Sequence, residues 1–190
     1  MKNKRLGLCI TGSFCTLKSV LQVATNLSQH NKVTPILSYN VRDFDTRFFA
    51  ANDFRKQLKI ATKCDTIIDT IVDAEPIGPN KPFDIMLVAP CTGNTLAKMA
   101  HGIVDTPVLM AVKAHTRNDL PVVLAVATND ALSHAGQNLG KLLDTRYHYF
   151  VPMGQDDPKQ KPRSMVADLS LVESTLDYAL KSKQIQPLLI

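Results

Sequence analysis

Residues 85–95 read Ile85-Met86-Leu87-Val88-Ala89-Pro90-Cys91-Thr92-Gly93-Asn94-Thr95. An apolar run from Asp84 to Ala89 is closed by a proline. Small polar residues then open a segment, Gly93 to Ile103, with the spacing of a helix. Such a run, without polar alternation, is a strand buried on both faces of a parallel sheet. The pattern recurs along the chain. Leu6 to Ile10 is apolar and stops at Thr11-Gly12-Ser13. Leu17, Val20, Leu21, Ala24 and Leu27 then mark one face of a helix. Val33 to Ser38 and Pro121 to Ala127 are two more strands, and Tyr147 to Val151 is the last.

Helices are expected from Thr46 to Ala61, from Ser133 to Leu143, and along a final stretch carrying Met165, Leu169, Val172, Leu176 and Ala179. Pro107 to Ala114 is a further helix or a buried connector. Thr66 to Asp69 is short and extended. Ala74 to Phe83 holds three prolines and a glycine and reads as a loop. Pro152 to Pro162 is polar and rich in breakers, a surface loop and a candidate flap. Strands alternating with helices predict a three-layer α/β fold. Its centre is a doubly wound parallel sheet of the flavodoxin/Rossmann-like kind, with residues 1–190 forming one domain.

Composition excludes several other classes. Hydrophobic residues make up 45% and charged residues 21%, the balance of a globular chain. The net charge of +5 is spread along the sequence, with no basic run interleaved with aromatics, so nucleic acid is not an expected partner. A field that steers a small anion or an acidic partner fits better. Cys9, Cys15, Cys64 and Cys91 form no CxxC pair and no His stands at zinc-finger spacing, so neither disulfides nor a metal is expected. The apolar stretch after the basic Met1–Arg5 segment is too short for a signal peptide, and no window is long enough for a membrane span. A reducing, cytoplasmic setting is expected.

In doubly wound folds ligands bind beyond the carboxyl ends of the strands. After the first strand, Thr11, Gly12, Ser13, Phe14 and Thr16 offer hydroxyls, a close backbone approach and free N–H groups at a helix start. The same residues also suit plain helix capping. Ser38 follows the second strand where a nicotinamide fold usually places Asp or Glu. A serine donates to a phosphate without repelling it, which favours a mononucleotide over a dinucleotide. Thr92, Gly93, Asn94 and Thr95 can face the edge of a flat heterocycle, and Asn129 brings a second amide to the neighbouring turn.

Taken together, these residues resemble the flavoprotein superfamily of flavin-containing cysteine decarboxylases and flavin prenyltransferases. TGSFCT is similar to its first phosphate loop, Ser38 to its phosphate serine, and APCTGNTLAKMAHGIVD to its PASANTxxKxAxGxxD segment. DTRF at Asp45–Phe48, IIDTIVDAEPIGP, TPVLMAVKAHTRNDLPVVLAVATNDAL, YFVPMGQDDPKQKPRSMVA and KQIQPLL are closer still to the B-subunit family of dipicolinate synthases. That resemblance implies FMN bound by Thr11, Gly12, Ser13, Phe14, Ser38, Thr92, Gly93, Asn94, Thr95 and Asn129, and assembly into trimers or dodecamers. It also implies a partner, the A subunit of dipicolinate synthase, carrying NADP. The two would oxidise a dihydrodipicolinate, or its hydrated tetrahydro form, to pyridine-2,6-dicarboxylate in the mother cell of a sporulating bacterium.

The chain departs from the decarboxylases in two places. It has no His between His30 and His101, and Ala-Val-Ala-Thr-Asn replaces their Pro-x-Met-Asn, so only Asn129 survives. Decarboxylation of a cysteine peptide is therefore not expected. Either a redox subunit or a scaffold that orders its partner remains open, with a prenyltransferase or generic FMN reductase as a third reading. Arg47, Lys113, Arg117, Lys161 and Arg163 are candidates for holding substrate carboxylates, Arg47 and Arg163 foremost. His115 and His134 are of a type that titrates near neutrality.

Overall fold

The computed structural model describes all 190 residues. Strand β1 (Arg5–Ile10) leads through a 3-10 turn into α1 (Leu17–Leu27) and β2 (Lys32–Leu37). Then come α2 (Tyr39–Asp43), α3 (Ala51–Thr62), α4 (Ile71–Ala74) and α5 (Ile77–Asn80). Strand β3 (Ile85–Cys91) is followed by α6 (Gly93–Ala100), α7 (Pro107–Thr116) and β4 (Val122–Thr128). The chain closes with α8 (Ala135–Leu143), β5 (His148–Phe150), β6 (Met153–Gly154), β7 (Met165–Ala167) and α9 (Val172–Ala179).

The parallel part of the sheet runs β2-β1-β3-β4-β5, as in flavodoxin-like folds. Alternation along each strand divides the core. Leu6, Leu8, Ile10, Ile85 and Leu87 point to one face, where α1, α3 and α9 lie. Cys9, Met86, Val88, Val122 and Leu124 point to the other, under α4 to α8. Pro35, which lacks an N–H, sits in β2 at the sheet edge, where only Ile68 continues the ladder. Cys9 and Cys91 are fully buried; burial pushes both thiols up, Cys91 to about 12, which leaves them inert.

Several boundaries differ from the sequence reading. Pro90 does not stop the third strand. The ladder shifts register between Val88 and Cys91, which accommodates a residue without an N–H, and β3 continues. The segment read as a proline loop carries α5, because Pro79 falls in its first turn, where backbone N–H groups need no partner. The helix expected from Thr46 starts at Ala51. The Thr46 hydroxyl accepts from Phe48 and Phe49 N–H, and Asp45 accepts from Ala51 N–H, which holds Asp45–Ala50 as a turn. The sheet is not purely parallel, and β5 is not its last strand. β7 pairs antiparallel with Ala127–Thr128 at the end of β4, and β6 with β7. This removes Met165 from the final helix, which starts at Val172. The loop between β6 and β7 is tied to itself, by Gln155 donating to Pro162 O and Lys161 to Asp156.

His115, on α7, is 1% exposed; its Nε2 bonds Pro121 O and its Nδ1 has no partner. Burial lowers its pKa from 6.5 to about 4, so it does not titrate near neutrality. As pH falls from 6.5 to about 4 the unfolded chain binds a proton there that the folded chain refuses, and stability is lost across that window. The loss expected is roughly 3 kcal/mol. Urea unfolding at pH 7 and pH 4 measures it, and His115→Gln should flatten the difference.

Candidate functional site

The strand order reverses between β1 and β3, where crossovers leave toward opposite faces and a crevice opens. One side chain ties its two walls. The Thr11 hydroxyl, 1% exposed, donates to Pro90 O at 2.7 Å and accepts from Thr92 N–H at 3.2 Å. Thr92 is also the N-cap of α6: its Oγ1 accepts from Thr95 N–H and lies 3.0 Å from Thr95 Oγ1. The Gly93 position is fixed by close packing. A Cβ there would stand 2.6 Å from Thr128 Oγ1 and 3.1 Å from Asp130 Oδ1.

Two lobes meet along this seam. One, of about 370 Å³, is lined by Gly12, Ser13, Thr92, Gly93, Asn94 and the β4 turn from Ala127 to Asp130. The other, of about 320 Å³, is lined by Thr11, Gly12, Ser38, Tyr39, Asn40, Thr92, Asn94, Thr95, Lys98, Asp105, Thr106 and Leu109. Gly12, Thr92 and Asn94 border both. In the second lobe Ser38 is 8% exposed and its Oγ has no hydrogen-bond partner. The lobe's one carboxylate, Asp105, is paired with its one cation, Lys98, at 2.6 Å.

The structure thus brings Thr11, Gly12, Ser13, Ser38, Thr92, Gly93, Asn94, Thr95 and Asn129 to one crevice. Phe14 is not among its lining; its ring packs beside Gly12 and against the core. Thr11 is a tie between strands rather than a free donor, and Thr16 donates to Ser13 O. Arg47 lines neither lobe and lies 4.8 Å from the Phe48 ring centre. Arg163 also lines neither, but it donates to Ser133 Oγ just beyond the β4 turn. Lys161 is paired with Asp156, Arg117 packs on Gly78, and Lys113 lines a separate apolar groove among α6, α7 and α8. His134 is exposed on the start of α8 and borders neither lobe.

Sequence reasoning missed Asn40, Lys98, Asp105, Thr128 and Asp130. Thr106 before Pro107 is a legible helix start, and it places Asp105 beside the crevice. The packing of Thr128 and Asp130 on Gly93 is tertiary and has no local signal.

Comparison with known proteins agrees with this geometry. The model of the family described as Flavoprotein matches residues 1–158. The dipicolinate synthase B subunit of Bacillus subtilis (strain 168) is 44% identical over 191 residues, covering 100% of this chain and 95% of that protein. The crystal structure of the dipicolinate synthase B subunit from Bacillus halodurans C superposes with a TM-score of 0.91. It is 42% identical and covers 100% of this chain and 97% of that one. The FMN-dependent cysteine decarboxylase SpaF shares the fold, with a TM-score of 0.65 at 19% identity over 94% of this chain and 97% of that one.

Replacing Thr11 with Val keeps its shape and removes both bonds, leaving Pro90 O and Thr92 N–H short of a partner. A loss of about 1–3 kcal/mol in urea unfolding is expected. A crevice at the β1/β3 reversal, hydroxyls and amides around it, and full-length similarity to named relatives lead to one assignment: the chain belongs to the Flavoprotein family, in its branch of dipicolinate synthase B subunits.

Proposed function

We infer that the crevice holds FMN and that the chain is the flavin-binding member of a two-subunit oxidoreductase of the dipicolinate synthase type. The observation that carries this is Ser38. Its buried hydroxyl has no protein partner and lines a lobe whose only acid is neutralised. A buried hydroxyl without a partner costs stability, and a ligand phosphate removes that cost. Gly12 supports the same placement. Its φ is not positive, and the nearest protein atoms to an added Cβ lie at an ordinary 3.5 Å, so the protein itself gives no reason for glycine. A ligand approaching the backbone does.

On this reading the phosphate lies in the Ser38 lobe, over β1 and β2. Asn94 and Asn129 offer amide donors and acceptors to the edge of the ring system in the other lobe. The bound flavin would supply a two-electron acceptor within the crevice. The chain's own residues bind and orient it: Thr11 fixes the distance between the walls, and Thr92 presents the start of α6. The reaction proposed is oxidation of dihydrodipicolinate, or its hydrated tetrahydro form, to pyridine-2,6-dicarboxylate. It proceeds with an A subunit that carries NADP, in a homo-oligomer such as a trimer or dodecamer, in the mother cell during sporulation. Arg163 on the β6–β7 loop, which donates to Ser133 Oγ just beyond the β4 turn, is the proposed holder of a substrate carboxylate, with Arg47 the second candidate. No helix is long and apolar enough to cross a membrane.

Two measurements test the reading. Purified chain titrated into FMN should quench the flavin's fluorescence. Ser38→Ala should weaken that binding about 10- to 100-fold while leaving the flavin-free protein no less stable, and Ser38→Asp should abolish it by repulsion. Co-purified with its A subunit, the chain should raise nicotinamide turnover on the dihydro substrate. An unchanged rate without it would leave this chain no catalytic part.

A further inference from the structure

Removing two hydrogens from a dihydropyridine to make a pyridine takes a hydride from one ring carbon and a proton from another. An oxidised flavin or nicotinamide would supply the hydride acceptor. The proton needs an acceptor in the crevice, and few residues qualify. No histidine lines either lobe. Asp105 is paired with Lys98. Asp130 is the one carboxylate of the Asn94–Asn129 lobe, half-buried and without a cation beside it. The Thr128 hydroxyl donates to its Oδ1, while its Oδ2 has no partner in the protein. The turn is braced from behind, because Ser133 and Ala135 N–H both bond the Asp130 carbonyl. Gly93 leaves the room in which Thr128 and Asp130 sit.

We propose that Asp130 is the proton acceptor of the oxidation and that Thr128 is its positioning residue, holding Oδ1 and leaving Oδ2 without a protein partner. The step balances. One ring C–H breaks with its electron pair going to the oxidant as hydride. The second C–H breaks with its pair completing the aromatic ring and its proton going to Asp130. This proposal rests on the reaction assigned above.

The test uses the chain together with its A subunit. Asp130→Asn should lower turnover by 10²- to 10⁴-fold, the usual worth of a positioned base. It should bind pyridine-2,6-dicarboxylate as tightly as the parent or more so, because a like charge has left the lobe, and calorimetric titration reads this without turnover. In Asp130→Ala, added formate should restore at least tenfold of the lost rate by occupying the vacated space. Thr128→Val should lower turnover less than Asp130→Asn and keep FMN affinity. Turnover of Asp130→Asn within fivefold of the parent overturns the proposal. So does turnover lost together with product and FMN binding, which marks a structural role, and so does failure of formate to act. If the parent complex itself does not oxidise the dihydro substrate, the assigned reaction fails instead, and that result precedes any variant.

Discussion

The hydroxyl of Thr11 joins two strand ends that nothing else in the crevice binds together. Parallel ladders hold β1 and β3 through Cys9 and Val88, and beyond those residues the chains diverge into crossovers on opposite faces. Just beyond that point two backbone groups, Pro90 O in β3 and Thr92 N–H at the start of α6, lack ladder partners. Thr11 satisfies both, and through Thr92 it also sets the first turn of α6. The width of the crevice, the height of Gly93 and the seat of the β4 turn all follow. A fully buried strand end is costly unless its polar groups are met, and here one side chain meets them while leaving the space in front open.

Electrostatics then divides that space. The Ser38 lobe contains an acid and a cation that cancel, and an unpartnered hydroxyl that favours an anion. The lobe across Asn94 contains amides, hydroxyls and one carboxylate. A molecule with a phosphate at one end and a flat polar ring at the other matches this order in one orientation only. The reverse would set phosphate against Asp130.

Much of this was legible in the sequence, and the reason is local. Each crevice turn follows an apolar run, so the run announces both the strand and the place where it stops, and this places Thr11, Ser38, Thr92, Asn94 and Asn129 at the crevice. The failures share a different cause. Met165 to Ala179 keeps helical spacing, yet Met165 and Val166 pair with β4, because the end of that strand offers free ladder positions and local periodicity cannot see them. Pro79 broke the pattern of α5 in composition but not in structure, since a first turn has no use for its missing N–H. Arg47 is close to Ser38 in sequence, but the Asp45–Ala50 turn carries it to the Phe48 ring and out of both lobes. Asp130 passed unnoticed for the opposite reason: its meaning comes from Gly93, nearly forty residues away.

The crevice also bears on why such a protein would work with a partner. Any dicarboxylate entering the lobe beside Asp130 meets no cation among its lining residues; Lys98 lines the other lobe and is spent on Asp105, and Arg47 and Arg163 line neither. An acceptor for a proton must be free of a neighbouring cation, which would hold it as a salt bridge, whereas a dianionic substrate requires cations. One small lobe does not satisfy both demands. Under the proposed reaction the two demands would be separated, with the proton acceptor in the crevice and positive charge supplied from outside the lobe. On the reaction proposed above, a dianionic substrate would draw its cations from outside the lobe.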